Sequence, residues 1–220
     1  MYSLLKKVHL KELCAQPVMF DACVFMIGIE NRTSDPNCSF EKIKDEYLIP
    51  LFENFKQIYI HEMVYDELDD STKHFVDSYR DKNVKVVSED DRYGKDPKYT
   101  TIFNNIANHE LVNYVRMQRK NRGEVFSLAY AAYNGINFFG SRDNMVDIVA
   151  DELEDLNDVE IVTFDIVVLV AYIHFATLGL LSQHKKALKA GYKIYCESVI
   201  KRHKLPSTLS KYAEASKDWI

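Results

Sequence analysis

Pro17-Val18-Met19-Phe20-Asp21-Ala22-Cys23-Val24-Phe25 is an apolar run interrupted once, by an acid. It reads as a short buried strand emptying into a small-residue turn. A carboxylate at the carboxyl end of such a strand points into the crevice where open α/β sheets bind ligands. A second run, Tyr59 to Leu68, has an apolar strand turning into a helix with Val64 and Leu68 on one face and Glu67 near the rim. A third, Gly123 to Ala132, opens with Glu124 and carries small residues that allow close packing of a helix on a sheet. A fourth, Ile136 to Gly140, is a short strand followed by the turn Ser141-Arg142-Asp143-Asn144. The resulting order of strand, helix, strand, helix, helix, strand predicts a parallel sheet.

These four stretches together resemble the PIN-domain nucleases, a family that includes the toxin ribonucleases of bacterial toxin–antitoxin pairs. The family pattern is an Asp after the first strand, a Glu in a V-x-x-E-L helix, an acid before an Ala-rich helix and a T/S-x-D turn after the next strand. Here those are Asp21, Val64-Tyr65-Asp66-Glu67-Leu68, Glu124 ahead of Ala129, Ala131 and Ala132, and Ser141-Arg142-Asp143. The matched region runs roughly from Val18 to Val162. The resemblance implies a PIN-like three-layer α/β/α domain over residues 1–162 with a central, mostly parallel sheet, and a helical C-terminal extension, 163–220, packed on the same domain. It implies a ribonuclease in which Asp21, Glu67, Glu124 and Asp143 bind one or two Mg²⁺ or Mn²⁺ ions. It also implies RNA as substrate, an antitoxin as partner if the chain is a toxin, and by analogy a homodimer. One departure is Asn121, where many relatives place an Asp three positions before the third acid; a neutral carbonyl is a weaker contact for a hard cation.

The chemistry suits the residues. Phosphodiester hydrolysis needs a water made partly hydroxide and a leaving oxygen whose charge is neutralised, and a divalent ion supplies both. Hard cations prefer oxygen ligands, so an acidic set without His or Cys fits Mg²⁺ or Mn²⁺ better than zinc. Clustered carboxylates repel one another and raise some pKa values until a cation binds, so metal is expected to stabilise the fold. Each acid also has a plainer role open to it. Asp21 and Asp143 suit turns and helix caps, and Glu124 suits a helix N-terminus through the dipole. Asp66 and Glu62 compete with Glu67, and Asp147 lies one turn beyond Asp143.

Substrate contacts are expected from Arg116, Arg119, Lys120 and Arg122, which immediately precede Glu124, and from Ser141 and Asn144 beside Asp143. Ser141 is equally suited to hold Asp143 by a hydrogen bond. A second basic run comprises His184, Lys185, Lys186, Lys189, Lys193, Lys201, Arg202, His203 and Lys204, for which a solvated helix face is the simpler reading. Tyr93, Tyr99 and Tyr114 are candidates for stacking on unpaired bases.

Bulk properties bound the answer without finding it. With 220 residues, 47% of them hydrophobic, the chain suits one domain with an appendage. A net charge of −5 argues against a wholly basic nucleic-acid surface but permits a local one. Cys14, Cys23, Cys38 and Cys196 form neither a C-x-x-C pair nor a disulfide framework, so reduced thiols in cytoplasm are expected. Met1 to Leu13 lacks the apolar core of a signal peptide. Ile166 to Leu181 is almost wholly apolar, but it is short for a span and contains His174; a buried helix capped by Thr163 or Asp165 is expected instead.

Further along the chain, loops are expected at 31–39 and 88–97, a helix over Lys98–Gln118, an acidic solvated stretch over Asp147–Asp158, a strand over Val159–Thr163 and a last helix over Thr208–Ile220. The histidines form no metal box, and neither G-x-S-x-G nor a phosphate-binding glycine motif occurs. A haloacid-dehalogenase-type phosphatase also begins with an Asp after a strand, but it requires D-x-D, and Asp21-Ala22-Cys23 lacks the second Asp. The remaining rival is a catalytically weak PIN-like protein that acts as an RNA- or protein-binding module.

Overall fold

Short apolar runs too brief to be helices make the sheet, and the helices between them are long enough to return the chain for parallel pairing. A computed structural model describes residues 9–26, 40–88, 92–113 and 121–219. In chain order the elements are α1 (Leu10–Ala15), β1 (Pro17–Phe20), α2 (Ala22–Phe25) and α3 (Phe40–Ile43), the last running through a π-helical turn, Lys44–Leu48, into α4 (Ile49–Asn54). β2 (Gln57–His61), α5 (Glu62–Glu67), α6 (Asp70–Asp77), β3 (Val84–Val87) and α7 (Pro97–Asn108) follow. Next come α8 (Arg122–Asn134), β4 (Phe138–Gly140), α9 (Asn144–Glu152), a 3₁₀ turn at Glu154–Leu156 and β5 (Glu160–Val162). The chain continues through α10 (Phe164–Thr177), α11 (Leu181–Tyr195), α12 (Glu197–His203) and α13 (Leu209–Ala215) to a final 3₁₀ turn, Lys217–Trp219.

The five strands form one all-parallel sheet, β3-β2-β1-β4-β5, flanked by helices in the three-layer α/β/α manner. β1 is central. The chain adds β2 and β3 on one side of it and β4 and β5 on the other, so the strand order reverses at β1, the switch point where parallel sheets open a crevice at their carboxyl ends.

The residues divide into two compact units. One comprises Pro17–Phe25 and Gln57–Ile161 and holds the sheet. Register puts Met19 beside Tyr59 and Phe139, and this row packs with Tyr99, Ile102, Phe103 and Ile106 of α7, Val125, Leu128 and Ala129 of α8, and Val146 and Val149 of α9. The alternate row, Val18, Phe20, Ile58 and Ile60, is buried as well, which explains why these strands read as continuous apolar runs rather than alternating ones. α8 ends where Gly135 takes a left-handed φ of +67°, and the Ile136 N–H turns back to the Ala131 carbonyl at 2.9 Å.

The other unit gathers Met1–Gln16, Met26–Lys56 and Val162–Ile220. α10 is buried from Phe164 to Ala171, so the apolar stretch is a core helix. Among the described residues no helix is long and apolar enough to cross a membrane. Thr163 stands at the N-cap of α10 without a capping bond; its hydroxyl donates instead to Asp165 Oδ1 at 2.5 Å. Asp165 is fully buried, accepts a second hydrogen bond from the Tyr212 hydroxyl, and has its carboxyl pushed up by burial. The expected cap is therefore an internal polar link between α10 and α13.

Several boundaries differ from the sequence reading. The helix expected over Lys98–Gln118 ends at Asn108, because His109 is extended (ψ 139°) and the chain then turns; 114–120 lie outside the described residues. β3 has no counterpart in the sequence reading, although Val84, Val86 and Val87 are strand formers. The acidic stretch 147–158 is not wholly solvated, since α9 runs to Glu152 and Val149, Ala150 and Leu156 are buried. The last helix is shorter than expected. Of the expected loops, 31–39 and residues 89–91 lie outside the described residues.

Candidate functional site

Asp21 leaves β1 at its carboxyl end and is 3% exposed. Its N–H donates to the Gly140 carbonyl of β4 at 3.0 Å, which ties the two strand ends together. Its carboxylate accepts from the N–H groups of Ala22 and Cys23 and from the Cys23 thiol, yet burial still pushes its pKa up. Gly140 is needed for this approach. A Cβ there would lie 2.1 Å from one ring atom of Phe20 and 2.4 Å from another.

Cys23 joins Asp21 to the turn that carries Asp143. The Arg142 N–H donates to Cys23 Sγ at 3.1 Å, and Sγ lies 3.6 Å from the Ser141 hydroxyl. Ser141 Oγ in turn accepts from the Asp143 N–H at 3.1 Å. Burial and the Asp21 charge push the Cys23 thiol well up, so sulfur keeps its proton and remains a donor to the carboxylate. Asp143 is exposed and caps α9, its Oδ1 accepting from the Met145 N–H at 2.8 Å.

Glu67 ends α5, and Glu124 sits in the first turn of α8. The Glu67 carboxylate accepts from the Gly123 N–H, so the two acids are held at one helix start. Space there is tight: a Cβ on Gly123 would be 3.1 Å from Glu67 Oε1 and 3.1 Å from Val64 Cγ2. Glu67 is pushed up by burial first and then by Asp21. Glu124 is pushed up to about 8, mainly by burial, with Asp21, Glu67 and Asp143 each adding to the shift. Four carboxylates from four separate segments therefore lie in one another's field at the carboxyl edge of the sheet.

Their donor set, oxygen alone, fits a hard divalent cation. No three described His, Cys, Asp or Glu side chains stand as a ready-made ligand group, so the acids share a field without meeting at one point. Mutual repulsion of like charges favours that spread.

Arg122 lies at the rim; it offsets the Glu67 charge and its guanidinium stands 5.7 Å from the Phe126 ring centre. Arg116, Arg119 and Lys120 lie outside the described residues. Ser141 is buried, and Asn144 opens α9. Asn121 is the N-cap of α8 in left-handed conformation, φ +58°, and its side chain makes no capping bond. Among the tyrosines, Tyr99 is fully buried and has no face for a base, Tyr93 is 52% exposed, and Tyr114 lies outside the described residues. His61 is buried and structural. Its Nδ1 accepts from the Met63 N–H at 3.2 Å at the start of α5, and its ring stacks on Phe126. Sequence reasoning missed Cys23, which it weighed only as a metal or disulfide residue. The one local signal was its place two residues after Asp21, on the same turn. No protein-family model matches the chain, and neither a curated protein nor a solved structure matches it.

Proposed function

We propose that the protein is a divalent-metal-dependent ribonuclease of PIN type, with Asp21, Glu67, Glu124 and Asp143 as the metal-binding carboxylates. The observation that carries this reading is that these four acids, each from a different segment, share one electrostatic field at the switch point of a parallel sheet, with Asp21, Glu67 and Asp143 all acting on Glu124. An isolated cap or turn acid has no reason to share its field with three others, and like charges set around the buried Asp21 and the half-buried Glu124 cost stability that a bound cation offsets. A bound Mg²⁺ or Mn²⁺ supplies an activated water and neutralises the leaving oxygen of a phosphodiester.

The chain's own part is to position and to tune. Asp21 is fixed by two N–H groups and a thiol and presents one orientation. Glu124 retains a proton on its carboxyl near neutral pH and gives it up as a cation arrives, so metal affinity rises with pH. Arg122, at the rim, orients the phosphate backbone. RNA is the substrate and the cytoplasm the expected compartment; an antitoxin is the expected partner if the chain serves as a toxin, and a second copy of the chain is expected by analogy with the family.

Purified protein incubated with mixed single-stranded and structured RNAs in Mn²⁺, Mg²⁺ or EDTA tests this. Metal-dependent cleavage that disappears in both Asp21→Asn and Asp143→Asn is the expected result. A second reading, a catalytically weak RNA- or protein-binding module, is favoured by Asn121, a neutral group where many PIN-domain nucleases carry an Asp. Folded protein that binds Mn²⁺ but cleaves no RNA supports it and refutes the first.

A further inference from the structure

Charge is segregated along this chain. Residues 181–204 hold seven of its 28 Lys and Arg and one of its 33 acids, Glu197, leaving 21 basic and 32 acidic residues elsewhere. The excess is focused on one face of α11. Leu188 and Tyr192 are buried, whereas Ser182, Gln183, Lys186, Lys189, Ala190 and Lys193 are exposed and share the outward face, on which no acid lies. Glu46, from the π-helical turn, faces His184 on the other side of α11. Glu197 pairs with Lys201 at 2.7 Å and also feels Lys193. Among the described residues, Lys186 and Lys189 have no carboxylate within ion-pair distance. Lys185, Lys189 and Lys193 also repeat at i, i+4, a like-charge spacing that weakens a helix.

We infer that this lysine face of α11 is a sequence-independent docking surface for the phosphate backbone of single-stranded RNA. The choice of RNA among polyanions rests on the ribonuclease reading above. Lys186 and Lys193 are two turns apart, about 10 Å along the helix, a span that brings separate phosphates of one strand within reach of flexible side chains. Lysines, as hydrated point charges without a bidentate fork, bind phosphate without reading bases. A membrane surface is the poorer fit. A helix that lies in a bilayer interface needs a free apolar face, and the apolar face of α11 is already buried.

The test is binding of a fluorescein-labelled, mixed-sequence single-stranded RNA to the full chain in EDTA, across 50–300 mM salt. Lys186→Gln/Lys189→Gln/Lys193→Gln is compared with a control of equal charge loss at exposed sites elsewhere, Lys11→Gln/Lys56→Gln/Lys82→Gln. Removing three phosphate contacts lowers the log–log salt slope by about 2 and weakens binding about 100-fold at 0.1 M salt. Equal losses in the control, an unchanged slope, or lysine-dependent binding to phosphatidylserine vesicles with RNA affinity intact would each overturn the inference. Because EDTA abolishes cleavage, the two readings fail separately. Lysine-dependent binding without Mn²⁺-dependent cleavage leaves the docking surface standing and removes the ribonuclease; cleavage with an unchanged slope does the reverse.

Discussion

Glu124→Gln should stabilise the metal-free protein, and by more as the pH rises. The Glu124 carboxyl is pushed from an ordinary 4.5 to about 8 in the folded chain, chiefly by burial. Because the folded pKa is the higher one, the native state holds a proton that the unfolded chain has released between these values, so stability falls as pH rises through that window. Each unit is worth about 1.4 kcal/mol, so at pH 7, 2.5 units above the ordinary value, the penalty is at most about 3.4 kcal/mol, less whatever the facing carboxylates gain by moving apart. Glutamine keeps the shape and never ionises. Thermal unfolding in EDTA, followed by circular dichroism at pH 5, 7 and 8.5, should show wild type and variant nearly level at pH 5. A gap of up to about 7–14 °C should open at pH 7 and widen at pH 8.5. Saturating Mn²⁺ should then raise wild type by about 3 kcal/mol at a hundredfold excess over Kd, and the variant less. A gap of the same size at all three pH values would refute the reasoning, since a packing or cap effect does not titrate.

Gly140→Ala should destabilise the sheet by about 1–3 kcal/mol, because the added carbon overlaps the buried Phe20 ring; urea unfolding measures it, and an unchanged midpoint would contradict the packing described. Cys23→Ala removes the link between Asp21 and the Ser141–Asp143 turn and should lower Mn²⁺ affinity or cleavage about 10–100-fold, as loss of a supporting contact does. Cys23→Ser, which keeps a donor and an acceptor, should restore most of that loss, and equal defects in both variants would show the thiol matters only for packing. Tyr212→Phe strips a donor from the buried Asp165 carboxyl and should cost about 1.5–3 kcal/mol. The cost should grow with pH, because Asp165 already has a raised pKa and the lost donor favoured its charged form. A pH-independent loss would mean that Asp165 stays neutral throughout.

How far the residues spoke for themselves depended on whether their cause was local. β1 and its terminal acid were legible, because strand length and turn residues are set within ten residues of sequence. The end of α7 was not legible: Leu111 and Val112 continue an apolar pattern past Asn108, and only the extended backbone at His109 stops the helix. β3 was overlooked because four residues carry little periodicity, and its pairing with β2 supplies what the segment alone lacks. Asp165 looked like a helix cap, but its carboxyl turns inward to a tyrosine 47 residues away.

The sequence by itself determined the α/β class, the strand-end placement of Asp21 and Asp143, and the helix-start placement of Glu124, since these follow from propensity and period. Tertiary structure alone decided that the four acids share one field, that Gly123 and Gly140 must stay small, and that Cys23 bridges Asp21 to a turn 118 residues further on. The physical reason is range. Helical hydrogen bonding and strand propensity are fixed by neighbours in the chain, whereas strand pairing, Coulomb repulsion, burial and steric contact depend on which distant segments the sheet order β3-β2-β1-β4-β5 brings side by side.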